Sequence, residues 1–259
     1  MSGVQLLNAR NLTLSYGDRP ALRGVDIALA QGEIVALLGP NGSGKSTLIQ
    51  SLFGHLKAEG EIEWFGKPIQ QYSPRDLARK VAYMPQSPAY QPGQPVMEVL
   101  QLGRSPYWAG FGLESPRDAE VVQSVASQLS LNDILHRPVD ELSGGQRQRV
   151  FLGRCLVQEP VVLLLDEPNT YLDLKHQVEL CQLLRQLART QSIAVLMASH
   201  DLNLASAFAD RAIVLSQGKV VASGGVEVLE PGMLSEVYGV KLIKVDRATG
   251  PAILVPEIA

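Results

Sequence analysis

The chain has 259 residues, 46% hydrophobic and 19% charged, with a formal net charge of −3. That balance suits a globular protein with a sizeable core and excludes the basic excess on which sequence-independent nucleic-acid binding depends. Its longest apolar runs, IVALL at 34–38 and VVLLL at 161–165, fall well short of the ~20 residues that a bilayer crossing needs, and the opening MSGVQLLNAR has neither the basic nor the apolar part of a signal peptide.

The first part reads as strands. LLNARNLTLSY (6–16) and ALRGVDIAL (21–29) alternate apolar and polar residues, as half-buried antiparallel strands do. EIVALLG (33–39) is a fully buried strand that runs into a glycine-rich loop and then a helix, KSTLIQSLFGHL (45–56). GEIEWFG (60–66) is a further strand, closed by a Gly-Lys-Pro turn.

The middle differs. SPRD occurs at 73–76 and again at 115–118, each time with Ser at an N-cap, Pro at the first helical position and an acid two residues later, so helices start at both places. From about 87 to 140 the pattern is helices and Pro/Gly-rich connections without a convincing strand, a helical insertion in an α/β framework.

After LSGGQ the α/β alternation returns. VVLLLDEP (161–168) and SIAVLMASH (192–200) are buried strands, DLKHQVELCQLLRQLAR (173–189) an amphipathic helix and LNLASAFA (202–209) a short one. RAIVLSQGKVVASG (211–224) is a hairpin with Gly218 in its turn, and the tail, 241–259, has room for one more strand. Strands alternating with helices imply a mostly parallel sheet covered on both faces. Cys155 and Cys181 lie in apolar helical patterns and read as buried free thiols of a reducing cytosol. His55, His136 and His176 read as surface residues.

Four stretches carry chemistry. GPNGSGKST, Gly39, Pro40, Asn41, Gly42, Ser43, Gly44, Lys45, Ser46 and Thr47, follows a buried strand and opens a helix, the context a phosphate-binding P-loop requires. Its glycines let backbone N–H groups converge on phosphate oxygens, Lys45 reaches the outer phosphates and Ser46 offers a hydroxyl to Mg²⁺. Asp166, at the end of the next buried strand, can hold Mg²⁺ through water, and Glu167 beside it can orient an attacking water. His200 ends the neighbouring strand. If the two strands are parallel, it lies close to Asp166 and Glu167 and can donate to a terminal phosphate. In LSGGQRQRVFLGRCL (142–156), Val150, Leu152 and Leu156 follow helical spacing, so Ser143, Gly144 and Gly145 sit at a helix N-terminus. That end is both a simple N-cap and an anion site.

Tyr16, the glycine-rich loop, YMPQ, LSGGQ, LLLDEP, YLD and SH come in the order of the nucleotide-binding subunits of ABC transporters, and the resemblance covers nearly the whole chain. It implies an α/β fold of the ABC type: a mostly parallel P-loop core sheet, an N-terminal antiparallel β subdomain and an inserted α-helical subdomain. On that pattern the core spans about 1–86 and 157–259 and the helical subdomain about 87–156. The resemblance also implies ATP and Mg²⁺ as ligands and a head-to-tail dimer of two copies. In it Ser143, Gly144, Gly145 and Gln146 close over the ATP of the other copy. Tyr16 resembles the aromatic that stacks on adenine. Gln86 resembles the residue that touches Mg²⁺ or the lytic water, and Asp173 the acid that contacts the second copy. Many relatives carry a small residue where this chain has Tyr171.

Fusion to a membrane domain is not expected without spans, so the resemblance implies two separate multi-span permease subunits. It also implies an extracytoplasmic substrate-binding protein and a place on the cytoplasmic face of the inner membrane. SPRDLARKVAYMPQ, LGRSPYWAGFG, LDLKHQ and SHDLNLASAFADR look like the ATPases of importers for iron chelates, haem and cobalamin, with a ferric siderophore expected first. A soluble ABC ATPase of translation or repair is the other class. It usually carries two cassettes or a long coiled coil, and this chain has neither. Tyr107, Trp108 and Phe111 either pack within the helical subdomain or dock on the membrane subunits.

Overall fold

A computed structural model describes residues 3–108, 115–170, 172–248 and 251–257. The alternating N-terminal segments form β1 (Gln5–Tyr16) and β2 (Arg19–Ala30), paired antiparallel. β4 (Glu59–Trp64) and the two-residue β5 (Lys67–Pro68) extend this sheet in the order β2-β1-β4-β5. Lys67 and Pro68 are therefore strand residues, and the turn lies one step earlier, at Phe65 and Gly66, both with positive φ. That conformation is one glycine adopts freely.

A second sheet contains β3 (Ile34–Leu38), β6 (Val81–Met84), β7 (Val162–Asp166), β8 (Ala194–Ala198), β9 (Arg211–Ser216) and β10 (Lys219–Gly225), in the order β10-β9-β3-β8-β7-β6. Only β10 runs antiparallel to its neighbour. Every residue of β3, β7 and β8 is buried, which is why these strands read as unbroken apolar runs. Their alternation still sorts side chains by face. Leu163, Leu165, Val195 and Met197 pack toward the helices of the insertion and the helix after β7, whereas Val162, Leu164, Ala194 and Leu196 pack toward the antiparallel sheet and the helix after β3. The edge strand β6 lies in the VAYM of the YMPQ region, where the alternation is too short to announce a strand.

The helical insertion carries α3 (Val96–Leu102), α4 (Pro116–Gln128) and α5 (Gly144–Leu156). Among the described residues from 87 to 140 the extended pairing is confined to one bridge, Pro95 with Pro138. Both SPRD segments start helices: Ser73 caps α2 (Pro74–Ala78), and Ser115 forms a full capping box with Asp118 at α4.

Arg104 ties the insertion together. Its guanidinium donates to Asp118 Oδ1 at 2.8 Å, the Val157 carbonyl at 2.6 Å and Glu159 Oε2 at 2.9 Å, and its Cζ lies 3.9 Å from the centre of the Tyr107 ring. Tyr107 in turn donates its hydroxyl to the Gln158 carbonyl at 2.8 Å, so it packs against the insertion while remaining half-buried. Trp108 is half-buried, and Phe111 lies outside the described residues.

α6 (Leu174–Gln191) and α7 (Leu202–Phe208) follow β7 and β8. Cys155 and Cys181 are buried and free, and burial pushes both thiols up to about 12. After α8 (Pro231–Tyr238) the tail forms two strands, β11 (Leu242–Val245) and β12 (Ile253–Pro256). They pair with each other and leave the main sheet unextended, in place of the single added strand expected. Leu242 and Leu254 bury against Leu38, Ala205 and Val214, and the Asn203 amide holds Leu254 by both its N–H and its carbonyl.

Candidate functional site

The parallel register decides where the site lies. Leu37 of β3 and Asp166 of β7 both pair with Ala198 of β8, so the three strand ends open side by side. Ligands in open α/β sheets bind at such an edge. The loop after β3 turns through Gly39 (φ 147), Gly42 (φ 77) and Gly44 (φ 108) into α1 (Lys45–Phe53). At two of these glycines neighbouring backbone also forbids a side chain. A Cβ on Gly39 would stand 2.1 Å from the Leu215 carbonyl oxygen, and one on Gly44 2.6 Å from that of Ala21.

Lys45 is buried, and its ammonium donates to the carbonyls of Gly39 at 2.8 Å and Pro40 at 3.3 Å. It also lies 3.8 Å from Glu167 Oε1. Burial lowers the Lys45 pKa against the opposing pull of Glu167 and Asp166. Ser46 donates its hydroxyl to Asp166 Oδ1 at 3.0 Å. Burial raises the Asp166 pKa despite that bond, with the Glu167 charge acting in the same direction.

Glu167 is 7% exposed and takes φ 51, a left-handed conformation that costs a non-glycine residue roughly 1 kcal/mol or more. The turn brings its carboxylate back over the strand ends. Gln86 Nε2 donates to its Oε2 at 2.7 Å, and His200 Nδ1 meets its Oε1 at 3.2 Å. A neutral imidazole has a single N–H. Giving that proton to Glu167 leaves Nε2 an acceptor, so the expected donation to a phosphate requires a second ring proton or release of Glu167.

Tyr16, Asn41, Lys45, Gln86, Glu167 and His200 thus line one open cleft of 920 Å³, together with Gly42, Ser43, Gly44, Ser46 and Thr47. Tyr16 is 54% exposed at its rim. Two details fit a phosphate chain in this cleft. Ser43 Oγ is buried with no hydrogen-bond partner among the described residues, and the space a Cβ on Gly42 would face is open. Mg²⁺ normally keeps several waters and takes one or two protein oxygens, and the Ser46 hydroxyl beside Asp166 is such a pair. Gln86, expected to touch that ion or the lytic water, donates to Glu167.

Ser143, Gly144, Gly145, Gln146 and Asp173 do not line this cleft. Ser143 accepts from the Gln146 N–H at 3.3 Å while the Gln146 side chain accepts from the Ser143 N–H at 3.1 Å, a capping box that starts α5. Asp173 caps α6, and the backbone N–H and then the ring of His176 hold its carboxyl below the usual range. Tyr171 lies outside the described residues.

Sequence reasoning missed three contacts. His176 is no free surface residue: its Nδ1 meets Asp173 Oδ1 at 2.6 Å, and its ring packs on Gly145. The i,i+3 spacing of Asp and His at a helix start was the available signal. His55 is exposed, as expected, but its ring lies beside Phe53 and Tyr83, with ring centres 4.7 and 5.5 Å away. The Gln148 amide donates to the Pro168 carbonyl, a link between α5 and the segment after Glu167 that no local pattern announces.

Residues 22–170 match the family described as "ABC transporter". The chain is 38% identical over 234 residues to the iron(3+)-hydroxamate import ATP-binding protein FhuC of Bacillus subtilis (strain 168), covering 90% of this chain and 87% of that one. It is 42% identical over 238 residues to the hemin import ATP-binding protein HmuV of Streptomyces coelicolor, covering 91% and 84%. Its structure resembles a chain from an inward-facing ABC transporter described as metal-chelate type, with a TM-score of 0.86, 27% identity and coverage of 100% and 98%. It also resembles the dimeric ATP-binding cassette MJ0796 in a post-hydrolysis state bound to ADP and Pi, with a TM-score of 0.74, 27% identity and coverage of 85% and 99%.

Proposed function

Since the chain belongs to the ABC transporter family of ATP-binding subunits, we propose that it hydrolyses ATP to drive import of an iron chelate, a ferric siderophore first. The observation that carries the ATPase reading is the convergence of Lys45, Gln86 and His200 on the buried Glu167 at the mouth of the glycine loop. A carboxylate so held has one task that fits its place. It accepts a proton from a water that bonds to the terminal phosphorus as the phosphorus–oxygen bond to ADP breaks. Lys45 and the loop N–H groups hold the phosphates and balance their charge. Mg²⁺, which would neutralise charge on the phosphate oxygens, would be held by Ser46 and Asp166. Tyr16, exposed at the rim, offers its ring face to the adenine.

The site is completed from outside the chain. Ser143, Gly144, Gly145 and Gln146 lie away from the cleft yet present a capped helix N-terminus, the geometry of an anion site. On this reading they close over the ATP of a second copy, with Asp173 at the same face, and add donors to the charge that develops on the transferred phosphoryl group. The dimeric cassette with ADP and Pi supports such an arrangement. The helical subdomain, about residues 87–156, would carry two membrane permeases at the cytoplasmic face of the membrane, with an extracytoplasmic binding protein supplying cargo. Among the described residues no helix is long and apolar enough to cross a membrane.

The name of the hydroxamate relative supports the cargo class, and the 42% identity to a hemin import protein favours haem as the second reading. Cobalamin is the third. The experiment is uptake by the complete transporter in vesicles, comparing ferric siderophores, haem, cobalamin and a metal oxyanion. ATP-dependent uptake of a ferric siderophore is expected. Uptake of the oxyanion alone overturns the cargo class and leaves the ATPase reading intact.

A further inference from the structure

The two segments that reach toward a second copy start different helices, α5 and α6, and neither touches the cleft of its own chain. Inside one subunit, among the described residues, the His176 side chain bridges them. Asp173 Oδ1 accepts from the His176 backbone N–H at 2.9 Å and meets the ring Nδ1 at 2.6 Å. The rest of the ring lies on Gly145. A Cβ there would stand 2.5 Å from His176 Cδ2, 2.8 Å from Cγ and 2.9 Å from Nε2.

Gly145 is within a regular helix, without the positive φ that would demand glycine. What leaves no room for a side chain is the imidazole, and the imidazole cannot turn away without giving up Asp173. Two amides reinforce the same junction: Gln148 of α5 donates to the Pro168 carbonyl, and Gln177 Nε2 to the Leu172 carbonyl at 3.1 Å. The segment that follows Glu167 is therefore fastened to α5 near its start and to α6 at its end.

We infer that His176 is a positioning residue for hydrolysis, which sets the spacing between the Ser143–Gly145 helix start and Asp173 so that both meet the second copy's ATP in register. This rests on the dimer reading of the preceding section. The physical requirement is strict. Donors aimed at developing charge act only within a fraction of an ångström of the right place, and a displacement of about 1 Å can cost on the order of 10²-fold in rate. A histidine that merely covers the helix surface would have no such effect, because nucleotide binding by one chain uses Lys45, Ser46 and Tyr16, none of which it touches.

The test uses the complete transporter, reading kcat and KM for ATP, with nucleotide affinity and thermal unfolding measured on the isolated subunit. His176→Ala is expected to lower kcat about tenfold or more with nucleotide affinity unchanged. His176→Asn, whose amide still reaches the Asp173 carboxylate, is expected to recover part of that loss. Gly145→Ala is expected to lose activity by driving its methyl into the ring. The double variant Gly145→Ala/His176→Ala is then expected to be more active than Gly145→Ala alone, because the ring is gone; this non-additivity is specific to the contact. Wild-type kcat in His176→Ala, a parallel loss of nucleotide affinity, or additive effects in the double variant would each overturn the inference while the ATPase reading stands. A wild-type complex that hydrolyses no ATP overturns that reading, and this inference with it.

Discussion

Glu167 Oε2 accepts a 2.7 Å hydrogen bond from Gln86 Nε2 across 81 residues of sequence. The segment that leaves β6 for the helical insertion is thereby bonded to the carboxylate that follows β7. Movement of the insertion relative to the sheet has to stretch or break that bond, so membrane subunits docked on the insertion, as proposed, would have a direct handle on the proposed base.

Gln86→Ala is therefore expected to lower the ATPase rate of the complex by roughly tenfold, with little change in ATP affinity. Gln86→Glu should be worse, since it sets a second carboxylate against Glu167 and like charges resist joint ionisation. Steady-state kcat and kcat/KM for both variants check this. Equal rates in the two variants would mean that the charge on Glu167 is irrelevant.

Glu167→Gln keeps the shape of the side chain and removes the proton acceptor. Turnover should fall by roughly 10² to 10⁴, the usual worth of a general base, while ATP binding survives. Trapped before hydrolysis, the variant should run as a dimer on a sizing column with ATP and Mg²⁺. A strict monomer at high concentration would count against the head-to-tail arrangement.

Asp118→Ala takes from the buried Arg104 one of its two carboxylates, leaving Glu159 at 2.9 Å, and losing that charge-assisted hydrogen bond costs about 2 kcal/mol. Urea unfolding should record the loss with ATP affinity unchanged. The pH dependence has a definite sign. Burial works to raise the Asp118 pKa, but the Ser115 N–H, Arg104 and the Ser115 hydroxyl overcome it and hold the value below its usual 3.8. A depressed carboxylate stabilises the fold fully above the unfolded value and loses that contribution as the pH falls through the folded one. The stability gap between wild type and Asp118→Asn should therefore narrow only below about pH 4, toward the folded value.

What the sequence disclosed was local or followed from a rule. The run from Gly39 to Thr47 carries its own turn chemistry, and Asp166 ends an unmistakable buried strand. The closeness of His200 to Glu167 follows from parallel neighbours ending on one side. The Gln86–Glu167 bond has no local trace, and resemblance brought Gln86 only to the ion or the lytic water. Arg104 was hidden for a different reason: its partners sit on α4 and just past α5, and an arginine near a helix end normally reads as solvated. The ring of His176 stays partly exposed, and its contact with Gly145 was hidden because glycine has no side chain to advertise one, so nothing in LSGGQ announces the ring beside it. The tail was read as one strand because apolar residues at its two ends do not reveal that they pair with each other.

The central claim is that each ATP is hydrolysed between two copies, with Lys45 from one chain and Ser143 from the other. The most direct measurement assembles the transporter from a mixture of Lys45→Ala and Ser143→Arg subunits, isolates the mixed complex by two tags and follows ATP hydrolysis. The Ser143→Arg subunit should bind ATP as a monomer, because Ser143 lies outside its own cleft. Complexes of either variant alone should be inactive, and the mixed complex should recover activity, since one of its two sites pairs an intact loop with an intact helix start. A mixed complex as inactive as its parents, or a Ser143→Arg monomer that no longer binds ATP, would contradict the account.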